Sequence, residues 1–383
     1  MDFSFDAQTH ELRELCRAFA QKEIAPYAAA WSEQHRFPTE VFKKMGELGL
    51  MGLLAPAEYG GTDVGYVAYV AAMEEIGVAD QSVAASWNAH LTIASLPLIR
   101  YGTHEQKERW LRPLAEGTHI GAFGLTEPTA GSDAASIRTR ARREAGGWLI
   151  DGTKMFITNA GTDMSLGVSL LAVTSDDGDR RRYGTFFVPA GTKGFTLGQP
   201  LRKLGWNSSD TRELVFQDCW VPDDHLIGDD SGGLRQFLEV LDPGRISVAA
   251  VSLSLAEAAL RLAVRQCRER EQFGQPIAKF QAIAHKVADI ATEVETARWL
   301  VYRAAWLADT GQPFSKAAAM AKLHASEVAN RAASASLQIH GGYGYMRESE
   351  IARFYSDAKI LEIGEGTSEI QRNVIARHVI GKV

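Results

Sequence analysis

The feature that most constrains this chain is a change of texture near Gly121. From there to Asp218 the residues fall into short β-rich runs: A-F-G-L-T, W-L-I-D-G, M-F-I-T-N, V-S-L-L-A-V-T, G-T-F-F-V-P and E-L-V-F-Q-D. Gly, Asp and Asn punctuate them, with Ala145-Gly146-Gly147 and Asp151-Gly152 as the turn signals. Strands so closely spaced leave no room for crossover helices, so they predict an antiparallel barrel or sandwich and not a parallel sheet.

On either side the hydrophobic period is helical. Asp6 is placed to cap a helix whose Leu12, Leu15, Cys16 and Phe19 share a face, and Val41, Phe42, Met45 and Leu48 repeat the pattern up to Gly49. Two more helices flank a break at Gly77 to Asp80, and Thr103 with Gln106 forms a capping box. Beyond the β block, Ala278 to Thr310 contains neither Gly nor Pro. There Ile283, Val287, Ile290, Val294, Ala297 and Val301 step by four and three, the seam of a helical bundle. An Ala-rich segment from Phe314 to Ile339 is its packing partner. The expected fold is α+β and multidomain: an N-terminal α-helical domain (1–120), a central antiparallel β domain (121–231) and a C-terminal four-helix-bundle domain (232–383).

Lys plus Arg number 41 against 47 for Asp plus Glu, a net charge of −6 that gives no general attraction to nucleic acid or an anionic membrane. Three cysteines, Cys16, Cys219 and Cys267, stand in no metal-ligand or C-x-x-C spacing, which fits a reducing cytoplasm without disulfides. The opening M-D-F-S-F-D has no signal- or transit-peptide character, and no apolar run reads as a membrane span. No G-x-G-x-x-G, Walker loop, H-E-x-x-H or G-x-S-x-G occurs, so a Rossmann dinucleotide site is not expected. The ten His form no metal-ligand pair, and His90 and His340 read as packed or hydrogen-bonded.

Several stretches could carry chemistry. In I-G-E-G-T-S-E-I-Q-R, Glu365 lies between Gly364 and Gly366, just ahead of a helix that Ser368 and Gln371 have the spacing to cap. The helix end favours the charged carboxylate while burial among Ile360, Leu361 and Ile363 opposes it, the compromise a general base needs. The same residues equally describe an ordinary turn. F-G-L-T-E-P-T-A-G-S-D (123–133) ends a strand in backbone N–H groups and the Thr126 and Ser132 hydroxyls, while K-M-F-I-T-N offers Thr158 beside Phe156. Each is also a plain strand end. Arg270 and Phe273 suit an anion or a stacked ring, or a solvated helix end; Gln338 to Tyr345 is a Gly turn open to a phosphate, or a helix cap. Asp242 and Arg245 flank Pro243-Gly244 and face a cleft or simply pair with each other.

Taken in this order, T-E-P-x-A-G-S-D, M-F-I-T-N, S-D-T-R-E-L-V-F, R-x-x-F-G, Q-x-x-G-G-x-G and E-G-T-S-E-I-Q-R resemble the acyl-CoA dehydrogenase flavoprotein family over essentially the whole chain. That resemblance implies an FAD between the β domain and the C-terminal helices, completed by a neighbouring subunit of a tetramer built as a dimer of dimers. Phe123, Leu125, Thr126, Gly131 and Ser132, with Phe156, Ile157 and Thr158, would line the flavin. Arg270, Phe273 and Gln281, together with Gln338, Ile339, His340, Gly341 and Gly342 of the partner, would hold its pyrophosphate and adenosine, and Thr367 and Glu369 would complete the site. Ser132, Asp242, Arg245 and Gly366 would touch the acyl-CoA.

Glu365 matches the family's base. It would remove the α-proton of the thioester while the β-hydride leaves for the flavin, giving a trans-2-enoyl-CoA. The Glu365 backbone N–H and the flavin ribityl chain would stabilise charge on the thioester oxygen, and an electron-transfer flavoprotein would take the electrons. Phe156 stands where Trp is frequent in the family, and Gly364 where Tyr often precedes the base. Trp87 and His90 fall in the helix region that floors the acyl cavity in relatives. Gly244 occupies the position that carries the base in isovaleryl- and long-chain-specific relatives, so the resemblance is to the short- and medium-chain arrangement. The rival readings are a dehydrogenase of acyl-carrier-protein thioesters, a flavin oxidase of the same fold, a catalytically silent thioester-binding module and a purely helical scaffold.

Overall fold

A computed structural model describes residues 4–176 and 181–381. Helices α1 (Ala7–Phe19), α2 (Ala28–Gln34), α3 (Thr39–Glu47), α4 (Gly65–Ala79), α5 (Gln81–Ala89), α6 (Leu96–Tyr101) and the short α7 (His104–Gln106) and α8 (Arg112–Ala115) form the N-terminal region. The caps read from sequence are present: Asp6 accepts from Thr9 N–H at 2.7 Å, and Thr103 and Gln106 cap each other reciprocally. Leu15 and Leu48 depart from expectation, being 38% and 43% exposed at the edges of otherwise buried faces. The break at Gly77 to Asp80 narrows to Asp80 alone, whose carboxylate caps α5 through Val83 N–H at 2.8 Å.

Eight strands follow: β1 (Ile120–Gly124), β2 (Arg140–Glu144), β3 (Gly147–Thr158), β4 (Ser165–Ser175), β5 (Arg182–Pro189), β6 (Phe195–Leu197), β7 (Thr211–Pro222) and β8 (Leu226–Ile227). They pair in the order β6-β7-β3-β2-β4-β5-β8, with β1 on β4. Most pairs are antiparallel, as expected, while β1 and β2 each run parallel to β4. The segment between β1 and β4 contains the β2–β3 hairpin, which gives the chain the length to return in the same direction.

Asp151-Gly152 is a correction to the expected turn. It lies inside β3 as a bulge, with Gly152 at φ +150° and the Asp151 carboxylate accepting from Asp218 N–H at 2.8 Å. The Asp-Gly pair signals a bend, and here the bend is absorbed within one strand.

The C-terminal region comprises α9 (Gly233–Glu269), α10 (Gln281–Asp309), α11 (Ser315–His340), α12 (Glu350–Ala358) and α13 (Ser368–Ile380). The predicted seam is buried at Ile290, Val294, Ala297 and Val301, and Ile283 and Val287 are partly buried beside it. α9 holds an apolar window of mean hydropathy 1.6, long enough to cross a membrane, but 83% of that window is buried inside the protein. It is the central core helix.

One contiguous core joins the N-terminal helices to α9–α12, running from Cys16 and Trp87 through Leu253 to Leu361, while the sheet has a separate core around Trp148, Phe186 and Phe216. Each large apolar side chain buried this way contributes about 1.5–3 kcal/mol. Polar ties add register: Asp309 on α10 accepts from the N–H groups of Tyr66 and Val67 at the start of α4, at 2.7 and 2.9 Å. Pro243 interrupts α9 and deprives the Glu239 carbonyl of its helical donor. Arg100 replaces that donor at 3.0 Å.

Candidate active site

Glu365 sits in the turn between the helical segment ending at Glu362 and α13, with φ +52°. A non-Gly residue in this region carries strain that only the surroundings can hold. They do so through backbone contacts: Gln371 Nε2 and Lys322 Nζ both donate to the Gly366 carbonyl, at 2.9 and 2.7 Å. The cap of α13 is Thr367, whose hydroxyl accepts from Ile370 N–H at 3.3 Å, and not the expected Ser368–Gln371 box. The frame is shifted by one residue because Gln371 is committed to the turn.

The residue is half-exposed, but its carboxylate points inward. Oε1 accepts from Asn88 Nδ2 at 3.3 Å, and Asn88 in turn accepts from the buried Tyr69 hydroxyl at 2.9 Å. Oε2 is inaccessible to solvent and has no hydrogen-bond partner among the described residues. It points at Gly244 on α9, where a Cβ would come within 2.3 Å of it. Burial pushes the Glu365 carboxyl up to about 8, against the opposing pull of Lys322, Asn88 and Arg245. The Glu365 N–H donates to no protein acceptor among the described residues. The turn therefore presents one unsatisfied carboxylate oxygen and one free backbone donor.

Asp242 and Arg245 lie either side of this approach on α9. They form a short ion pair with each other, and Ser315 donates to Asp242 at 3.0 Å. Arg245 Nε is buried without a partner among the described residues.

On the sheet, the second irregularity of β3 falls between Lys154 and Ile157 and sets Phe156 at φ +61°, 63% exposed. A bulge re-aims a side chain in this way, and here it turns an aromatic ring out beside Thr158. Ile157 is buried. Gly131 and Ser132 are exposed, with nothing near a Cβ at Gly131. Leu125 and Thr126 are half-buried, but Phe123 faces inward and stacks on Phe237 with centroids 4.3 Å apart. Only the backbone of Phe123 is available to a ligand.

Beneath this loop, Lys154 and Glu127 form a fully buried pair at 2.8 Å, and Glu127 also accepts from the N–H groups of Arg138 and Thr139. Lys154 donates to the Leu125 carbonyl at 3.1 Å.

A third group collects at the far end of α9. Arg270 ends that helix, and Phe273 follows at φ +52° and 92% exposed. With Ile339, His340, Gly341, Gly342 and Tyr343 they line a cavity of about 670 Å³ within one protomer. The Arg270 guanidinium lies over the Tyr343 ring at 5.9 Å, and Gly341 and Gly342 have open space where a Cβ would be. An anion flanked by a flat ring fits this set. Gln338 and Glu369 instead line a neighbouring charged groove with Lys286, Arg331 and Arg372. Gln281 starts α10 and is exposed, and Thr367 is tied up as the α13 cap.

The acyl-CoA dehydrogenase N-terminal, middle and C-terminal domains match residues 6–118, 122–219 and 231–380 respectively. The chain belongs to the acyl-CoA dehydrogenase family. A probable acyl-CoA dehydrogenase, YngJ, of Bacillus subtilis is 46% identical over 380 residues, covering 99% of this chain and 100% of that one. Butyryl-CoA dehydrogenase from Megasphaera elsdenii superposes with a TM-score of 0.96 at 38% identity, over 99% of this chain and all of that one. A chain in a structure of the electron-transferring flavoprotein of Acidaminococcus fermentans does so with a TM-score of 0.96 at 39% identity, over the full length of both. Acyl-CoA dehydrogenases are FAD-dependent oxidoreductases acting on CH–CH groups.

The positions sequence reasoning missed are Asn88, Lys322, Lys154 and Glu127. Asn88 and Lys322 are polar residues buried on helices, which periodicity counts as noise, and Lys154 and Glu127 matter through a pair formed between a strand and a loop. Trp87 and His90 are core residues. The Trp87 indole donates to the Leu50 carbonyl at 3.0 Å, and His90 bridges the Met51 carbonyl and the Gly121 N–H.

Proposed function

We propose that this acyl-CoA dehydrogenase acts on short-chain acyl-CoA thioesters with Glu365 as its base. The observation that carries the assignment of the base is the Glu365 Oε2, buried, unpartnered and facing the Gly244 gap in α9. A carboxylate held near neutrality by burial has the proton affinity for removing a weakly acidic α-proton at physiological pH. Asn88 fixes the other oxygen, so the free one keeps its direction. The free Glu365 N–H would donate to the thioester oxygen as negative charge develops there. Bound FAD supplies the acceptor for the β-hydride, and an electron-transfer flavoprotein removes the electrons.

The residues present fit that cofactor. Phe156 turned outward beside Thr158, with the open Gly131-Ser132 loop, suits the flat ring system; Arg270, Phe273, Gly341 and Gly342 suit the pyrophosphate and adenosine. Ser132, Asp242, Arg245 and Gly366 are assigned to the acyl-CoA. Thr367, Glu369, Gln281 and Gln338 are assigned to the FAD of an assembled homotetramer, whose formation the exposed Phe273, Tyr343 and Tyr345 support. A cytoplasmic enzyme with domains dividing near residues 120 and 231 completes the proposal. Short chains are favoured by the place of the base at 365 and by the likeness to the butyryl-CoA enzyme.

The test is anaerobic bleaching of the flavin by acyl-CoAs of increasing length and branching. Butyryl-CoA should bleach fastest; preferential bleaching by an acyl chain of twelve or more carbons, about three times that length, would overturn the chain-length assignment. Rapid reoxidation of the reduced enzyme by oxygen would favour the oxidase reading instead.

A further inference from the structure

Lys322 lies in the middle of α11 among alanines and is completely inaccessible to solvent. A buried ammonium is costly unless it is paired and hydrogen-bonded. Its hydrogen bond goes to a backbone atom, the Gly366 carbonyl, at 2.7 Å. That carbonyl follows the base directly in sequence. Lys322 thus reaches across from α11 to the one turn whose geometry sets the direction of Glu365.

Resting on the reading of Glu365 as base, we propose that Lys322 is a positioning residue, whose buried ammonium clamps the Glu365–Gly366 turn and provides a counter-charge that favours the ionised carboxylate. The groups facing the pair come from five elements. Glu365 is faced by Lys322 from α11, Arg245 from α9, and Asn88 from α5, with the neutral Tyr69 from α4 behind Asn88. Lys322 is faced by Glu365 and Glu362 from the turn, Glu369 from α13 and Arg245 from α9. Arg245 is already engaged by Asp242, whereas Lys322 forms no ion pair within 4 Å among the described residues.

Burial pushes the Lys322 ammonium down to about 8 and the Glu365 carboxyl up to about 8. The opposite charge on each group works against the shift that burial imposes on the other. Gln371 shares the Gly366 carbonyl and preserves part of the turn when Lys322 is altered.

Lys322→Gln removes the charge and leaves a donor in place. The rate of flavin reduction by butyryl-CoA would be followed from pH 6 to pH 10 in FAD-loaded protein. Loss of an opposing charge raises a carboxyl, so the rising limb of the profile should move upward by about one pH unit. An unshifted limb would overturn the proposal, whatever happens to the plateau.

If Lys322→Gln fails to fold, the Lys322→Gln, Glu365→Gln double variant decides. A charge-coupled pair predicts that the double variant recovers soluble, FAD-loaded protein. Equal failure of single and double variants overturns the proposal. Glu365→Gln alone separates the two readings: turnover in that variant would remove the base assignment itself, while an inactive Glu365→Gln beside an unshifted Lys322→Gln limb removes only the pair.

Discussion

Gly244→Ala adds one methyl group to α9, and the structure says where it goes. The new Cβ would lie 2.3 Å from Glu365 Oε2 and 3.3 Å from Ile93 Cγ2. Ordinary contact begins near 3.4 Å, so the oxygen is about 1.1 Å too close and must withdraw, while the Glu365 Cδ at 3.4 Å can stay. The withdrawal is a swing of the carboxylate about that carbon, and it pulls on the Asn88 bond that holds the other oxygen. A misplacement of about 1 Å in a catalytic group costs on the order of 100-fold in rate, or about 2.7 kcal/mol. Fold stability should change little, since Ala is the better helix former at this position. The assay is stopped-flow flavin reduction by butyryl-CoA in protein of matched FAD content. A rate within about threefold of wild type would refute the reasoning, because it would mean that Oε2 does not need the place it occupies.

Glu365→Gln should retain FAD and nearly abolish turnover. Because the folded carboxyl is raised to about 8 from an unfolded value of 4.5, its ionisation destabilises the fold progressively between those values, so the melting temperature of the Gln variant should gain on wild type as pH rises from 5 to 8. A gap independent of pH would contradict the raised value. Arg270→Ala should weaken FAD retention while leaving the acyl-chain preference unchanged, because the Arg270 cavity is at the other end of α9 from Gly244; altered preference with normal FAD content would count against it. Glu365→Gly should be inactive, and adding Gly244→Glu should restore partial activity, since both positions face one point. A folded, FAD-loaded double variant no faster than Glu365→Gly would exclude that shared geometry.

The sequence was legible where a local rule had a single solution. Asp6 and Thr103 cap as read, and the α10 seam is buried where its period places it. Asp151-Gly152 shows the limit: the pair encodes a bend, but whether the bend closes a hairpin or kinks one strand depends on β7 pairing through it. The parallel run of β1 on β4 is likewise a tertiary outcome that alternation within a strand cannot encode. Glu365 was found because two glycines isolate it. Asn88 and Lys322 were not, since what makes them important is a neighbour 277 residues away in one case and 44 in the other. Phe123 was read as lining a ligand, and its ring packs inward on Phe237, a residue of another region of the chain.

The core shared by α4 and α9 has a bearing on how the chain is made. α4 ends at Ala79, and α9 does not begin until Gly233. At roughly 5–20 residues per second the ribosome needs on the order of 10–30 s to deliver the partner after α4 has emerged. During that interval Tyr69, Val70, Met73 and Ile76, all inaccessible in the finished protein, have the neighbouring N-terminal helices but lack α9. The sheet, which carries its own core, can close in the meantime. Nascent chains arrested before residue 233 should therefore bind chaperones through the N-terminal helices, and release should coincide with the synthesis of α9.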